Sequence, residues 1–174
     1  MLSKVLMKFR IISFLLFINI ILVSCRKPDE YPIIPAITFK SISTTQDAQG
    51  LDVKMTVLID FTDGDGDVGY KEVGMNDPIF DDPSSQYYDN YNAKLYEFVN
   101  GSWQEYPTIL PLGGRIPYLT PTGKIKTLKG EIACDFDVPP QSINDTFRLE
   151  LFIYDRALHQ SNTISTPSFI LNTP

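Results

Sequence analysis

Over long stretches from Ala36 onward, apolar residues recur at every second position, and few folds are compatible with that pattern. Val53, Met55, Val57, Ile59 and Phe61 share one parity, as do Leu128, Gly130, Ile132, Cys134, Phe136 and Val138, and again Phe147, Leu149, Leu151 and Ile153. Successive side chains of a strand face opposite sides of a sheet, so this alternation predicts strands with one face in a core and one in water. No convincing stretch carries the helical period. Strands are predicted over 36–43, 51–61, 93–99, 102–106, 124–138, 146–154 and 163–171. Asn100-Gly101 is a strong hairpin turn signal, and Pro167 marks the last strand as an edge. About seven strands joined by Gly, Pro, Asn and Asp turns predict an all-β fold, a single immunoglobulin/fibronectin-like β-sandwich over 36–174, with a small barrel as the alternative. Residues 70–92 and 107–123 interrupt the pattern and read as long loops with a functional or packing role.

The first 24 residues follow other rules. Lys4, Lys8 and Arg10 open the chain with no acid among them, and an apolar run follows from Ile11 to Leu22, interrupted by Ser13 and Asn19. A spanning helix needs about 20 apolar residues, so this shorter run predicts a cleaved secretion signal. Leu22-Val23-Ser24-Cys25 resembles the lipobox of bacterial lipoproteins. That resemblance implies cleavage before Cys25, diacylation of its thiol and acylation of the new amine, with the membrane as partner through the N-terminal lipid. Residues 1–24 are then the signal peptide, and 25–35 a lipidated cysteine with a proline-rich tether. One acyl chain binds a bilayer marginally, whereas two or three hold it stably. No Asp follows Cys25, so the inner-membrane retention signal is missing. Lys27-Pro28-Asp29-Glu30 is similar, apart from Pro28, to the acidic export tag of Bacteroidota surface lipoproteins. The expected location is the outer membrane, on the cell surface or the periplasmic face.

Setting aside the three signal-peptide cations leaves 12 basic against 21 acidic residues, a net charge of −9. Such a balance argues against nucleic acid or anionic lipid as a partner. With Cys25 lipidated, Cys134 has no disulfide partner, and its place in an alternating series makes it a small core hydrophobe.

The most chemical stretch is Phe61-Thr62-Asp63-Gly64-Asp65-Gly66-Asp67-Val68-Gly69-Tyr70. Glycines permit the positive φ of a tight coil, so Asp63, Asp65 and Asp67 can turn inward together. Ca²⁺ takes six to eight oxygens at about 2.3–2.6 Å, and three aspartates supply three of them. An EF-hand is excluded, because its sixth and twelfth places hold Val68 and Gly74 instead of Gly and Glu. In a sandwich the loop before the last strand shares this end, which nominates Asp155 as a fourth ligand, with Asp60 and Asn162 as weaker candidates. A solvated Asp-Gly turn held by Asx hydrogen bonds is the competing reading. Taken with Tyr154-Asp155-Arg156-Ala157-Leu158 and Ser161-Asn162-Thr163, the loop resembles a group of small Bacteroidota lipoproteins with an immunoglobulin-like domain. That resemblance implies a location and a fold but no activity. His159 stands where bacterial immunoglobulin-like domains carry Asn in an Asp-x-Ala-x-Asn turn.

His159 is the sole histidine. Asp155, His159 and Ser161 could be imagined as a hydrolase triad, but no Gly-x-Ser-x-Gly elbow exists and a solvated loop histidine is preferred. Tyr87, Tyr88, Tyr91 and Trp103 are candidates for a ligand surface, since such rings stack on sugars and pack at interfaces. Tyr96, Phe98 and Trp103 read by preference as cross-strand pairs on a hairpin. The expectation is a non-enzymatic binding or interaction module of the envelope, stabilised by Ca²⁺, with an envelope protein or a glycan as partner. A glycan-binding accessory of polysaccharide capture is the alternative, and an envelope hydrolase using acidic residues a further one.

Overall fold

The structure, a computed structural model, describes residues 30–70, 77–108, 111–119, 126–138 and 146–173. The run expected to be a secretion signal and Cys25 lie outside the described residues. The described chain is all-β, with no helix and two antiparallel sheets packed as a sandwich. One sheet has the order β1 (Ala36–Gln46), β2 (Asp52–Asp63), β6 (Leu128–Asp137). The other has the order β4 (Ser102–Glu105), β3 (Tyr91–Val99), β7 (Thr146–Ile153), β8 (Ile164–Ser165); β5 (Leu112–Gly114) also pairs with β3, and β9 (Phe169–Ile170) with β7.

The inward parity of each strand supplies the core. Met55, Val57, Ile59 and Phe61 of β2 and Ile132, Cys134 and Phe136 of β6 face Phe147, Leu149, Leu151 and Ile153 of β7, with Leu95 of β3 beside them. Cys134 is fully buried, and burial pushes its thiol up to about 12, so it is an inert core residue at neutral pH. Val53 departs from the parity expectation and is 46% exposed, because the register shift between Thr45–Lys54 and Gln46–Asp52 leaves it unpaired with β1 and resets the parity.

Among the described residues nine strands replace the expected seven, for local reasons. β1 runs past Ser43 to Gln46, across a register shift between Phe39 and Ser41. That bulge resets the parity so that Phe39 and Ile42 both pack on the core. The expected last strand is two short ones. Between them Thr166, buried, donates its N–H to the Leu149 carbonyl while its Oγ1 accepts the Leu149 N–H. Pro167, lacking an N–H, follows where the ladder breaks. β5 falls inside the segment read as a loop. Three residues are too few to show alternation, and a Cβ on Gly114 would lie 2.1 Å from the Tyr91 hydroxyl, so glycine lets that ring cross β5.

The segment before β3 is also held down. Arg115, just beyond β5, donates from Nη1 to the carbonyls of Phe80 and Tyr88 (2.5 and 2.7 Å), and its guanidinium lies over the rings of Tyr70 and Tyr88. Hydrogen bonds from a charged donor contribute about 1.5–3 kcal/mol. Arg115→Ala is therefore expected to speed proteolytic cleavage within 77–90 by about tenfold or more, measured by limited proteolysis with the core still folded.

Candidate metal centre

Antiparallel pairing brings the ends of β2, β5 and β7 and the starts of β1, β3 and β6 to one end of the sandwich. The acidic loop leaves β2 there. Gly66 and Gly69 have φ of +73° and +95°, the left-handed region that glycine adopts without strain. Gly64 is glycine for another reason: a Cβ would lie 2.2 Å from the Tyr31 carbonyl oxygen, and its own N–H donates to the Pro32 carbonyl at 2.9 Å.

This coil gathers Asp63, Asp65 and Asp67, one carboxylate oxygen of each lying within 4.8 Å of the others. Two oxygens on opposite sides of a Ca²⁺ ion are separated by about twice 2.3–2.6 Å, so the spacing fits one coordination shell. Asp63 is fully buried; its Oδ2 accepts the N–H groups of Asp67 and Val68 at 2.7 and 3.1 Å. The Oδ1 atoms of all three aspartates are shielded from solvent and have no hydrogen-bond partner. A shielded acceptor left unsatisfied costs about 1–3 kcal/mol, and more when charged. Burial, reinforced by the charges of Asp67 and Asp65, outweighs the two backbone bonds and pushes Asp63 up to about 6. Asp67 is also raised, first by burial and then by the charges of Asp155 and Asp65, with Arg156 opposing.

The loop carrying Asp155 does meet this coil. Val68 forms a bridge with Asp155, and Arg156 donates its N–H to the Asp67 carbonyl at 3.2 Å. The Arg156 guanidinium donates to the carbonyls of Gly66, Val68 and Gly69, and stacks on Tyr118 at 4.4 Å. The Ala157 N–H donates to Asp67 Oδ2 at 3.1 Å. The nearby cation therefore spends its donors on main-chain carbonyls, and the three Oδ1 atoms keep their need for one.

Asp155 itself stands apart from the cluster. It is fully buried, its Oδ1 accepts the His159 N–H at 2.7 Å, and its Oδ2 pairs with His159 Nδ1 at 2.9 Å. That contact raises the His159 imidazole above its ordinary value. Asp60, a weaker candidate, is exposed beside Lys40, and Asn162 exchanges hydrogen bonds with the backbone of Ile37. Ser161 Oγ donates to the Asn162 carbonyl and accepts the Ile153 N–H, so it serves the backbone and not His159.

The aromatic candidates are engaged within the chain. Tyr87 packs edge-on against Tyr154, Tyr88 lies under Arg115, and Tyr91 packs edge-on against Phe136. Trp103 lies against Phe98 and under Arg148. Sequence reasoning missed Arg156 and Tyr118 as organisers of the loop; the one available signal was an arginine directly after Asp155. What the geometry defines is an all-β sandwich with an acidic coil at one end, whose three carboxylates could hold a metal ion. Compared with protein families, characterised proteins and solved structures, the chain has no match in any of the three.

The raised carboxyl of Asp63 makes stability depend on pH. Free of calcium, it holds its proton more tightly folded, at about 6, than unfolded, at 3.8, so its contribution to stability falls as pH rises through that interval. An ion held by the ionised carboxylate would displace that proton. The rise in Tm on adding calcium is expected to grow between about pH 5 and about pH 7, measured by thermal denaturation at constant ionic strength.

Proposed function

We propose that this chain is a lipid-anchored β-sandwich of the bacterial outer membrane that acts as a non-enzymatic interaction module, with one Ca²⁺ held by Asp63, Asp65 and Asp67. The observation that carries the cation is the set of three shielded, unpartnered Oδ1 atoms within one coil. Three further oxygens or more would complete the ion's shell. Bound there, the ion supplies the charge that Arg156 does not, and it fixes a coil on which the loop after β7 is docked. The strand orders β1-β2-β6 and β4-β3-β7-β8 support the immunoglobulin or fibronectin type of sandwich. Anchoring at Cys25 is supported by the signal run and Leu22-Val23-Ser24-Cys25. A binding role is favoured over hydrolysis because His159 faces Asp155 while Ser161 is spent on the backbone. Glycan capture keeps its support at one place, where Phe98, 40% exposed, adjoins Trp103.

Thermal melting with calcium and with chelator tests the cation. An ion that binds only the folded state stabilises by RT ln(1 + [L]/Kd), about 2.7 kcal/mol at a hundredfold excess over Kd. For a domain of this size that raises Tm by about 5–10 °C. Identical melting curves in the two conditions would remove the ion from the proposal.

A further inference from the structure

We propose that the acidic-loop end of the sandwich rests on the membrane surface, with Ile33, Ile34 and Tyr118 seated in the headgroup region of a zwitterionic bilayer. This inference rests on the lipid anchor at Cys25 proposed above. The chain joins the sandwich at this end and no other: Ala36, the first residue of β1, pairs with Thr62 near the end of β2. Just before it the tether is already fixed to the domain. The Gly64 N–H donates to the Pro32 carbonyl at 2.9 Å, Pro35 is buried, and Lys129 lies over the Tyr31 ring. The tight approach of Tyr31 to Gly64, which leaves no space for a Cβ, shows the same seating.

Only six residues separate Cys25 from Pro32, a span of seven Cα–Cα steps. Fully extended they reach at most about 25 Å. An acyl group on Cys25 therefore holds this end within that distance of the lipid. The far end of the sandwich stands about 40 Å further out, the length of a twelve-residue strand such as β2.

The residues exposed at the near end suit an interface. Ile33 and Ile34 are consecutive and are 56% and 50% exposed; Tyr118 is 43% exposed. The Tyr118 ring is held by Arg156, and Arg156 is in turn fixed on the coil carbonyls, so the tyrosine is presented on a rigid support. Tyrosine settles at the headgroup level, and exposed apolar side chains such as isoleucine bury into the boundary below it. A net charge of −9 beyond the signal leaves zwitterionic headgroups, and not an anionic surface, as the fit.

The sole tryptophan, Trp103 on β4, lies toward the opposite end and serves as an internal control. The lipidated full-length product, purified from membranes, is reconstituted into phosphatidylcholine vesicles with ordinary or brominated acyl chains, which quench tryptophan emission on contact. Reporters are Tyr118→Trp and, separately, Ile33→Trp, each in a Trp103→Phe background; tryptophan stacks on Arg156 at least as well as tyrosine does. The expected result is co-flotation with the vesicles and emission about twofold or more lower in brominated lipid at both reporters, with Trp103 of the unaltered protein unaffected. Co-flotation with neither reporter quenched beyond Trp103 would overturn the inference while leaving the anchor in place. Failure to co-float would overturn the anchor, and the inference with it.

Discussion

Asp63→Asn is expected to stabilise the calcium-free protein and to abolish its response to calcium. The two halves of that result have one cause. Asparagine keeps a carbonyl oxygen that accepts the N–H groups of Asp67 and Val68, which Asp63 Oδ2 now accepts. It also removes a charge whose burial, beside Asp67 and Asp65, raises the carboxyl to about 6. Holding such a group ionised at neutral pH costs about 1–3 kcal/mol, and the amide avoids that cost while its NH₂ donates to the neighbouring carboxylates. In chelator the variant should therefore melt higher than the native protein, and in calcium lower. A solvated Asx turn predicts neither change, since its carboxylate would be hydrated and at no disadvantage. Melting curves of the two proteins in chelator and in calcium decide between the readings. A variant less stable than the native protein in chelator would count against the metal centre.

Phe147→Ala is expected to destabilise the domain by about 3–5 kcal/mol, seen as a lower denaturant midpoint with an unchanged slope. Phe147 is fully buried at the start of β7, edge-on to Tyr106 and tilted against Phe169. β7 lies between β3 on one side and β8 and β9 on the other, so its neighbours cannot close over the space a missing ring leaves. By contrast Phe98, 40% exposed on the outer face of the same sheet, should cost under about 1 kcal/mol when replaced by alanine.

Much of the sandwich is legible in the residues themselves, because where one face is buried and the other wet, the period of two is written out. β2 from Met55 onward, β6 and β7 show it without interruption and form the core as expected. The alternation fails where geometry breaks the parity. At Phe39–Ser41 a bulge adds a residue, at Thr166 a side chain takes the ladder's place, and in β5 Gly114 stands under the Tyr91 ring. The same holds for the acidic loop. Its three aspartates converge as their spacing suggests, since the coil is local and built by Gly66 and Gly69. Asp155 was reachable only through topology, which brings its loop to the coil but cannot say how its carboxylate is spent. His159, four residues along, takes both of its oxygens. The tyrosine-rich polar stretch reads as a surface, and composition does not announce that Tyr88 lies beneath Arg115 or that Tyr87, half-buried, packs edge-on against Tyr154.

Calorimetric titration of calcium into chelator-stripped protein puts the centre to the most direct test. The arrangement of Asp63, Asp65 and Asp67 predicts saturable binding at a single site in the native protein and none in Asp65→Ala. Absence of binding in the native protein, or binding that survives intact in Asp65→Ala, would contradict it.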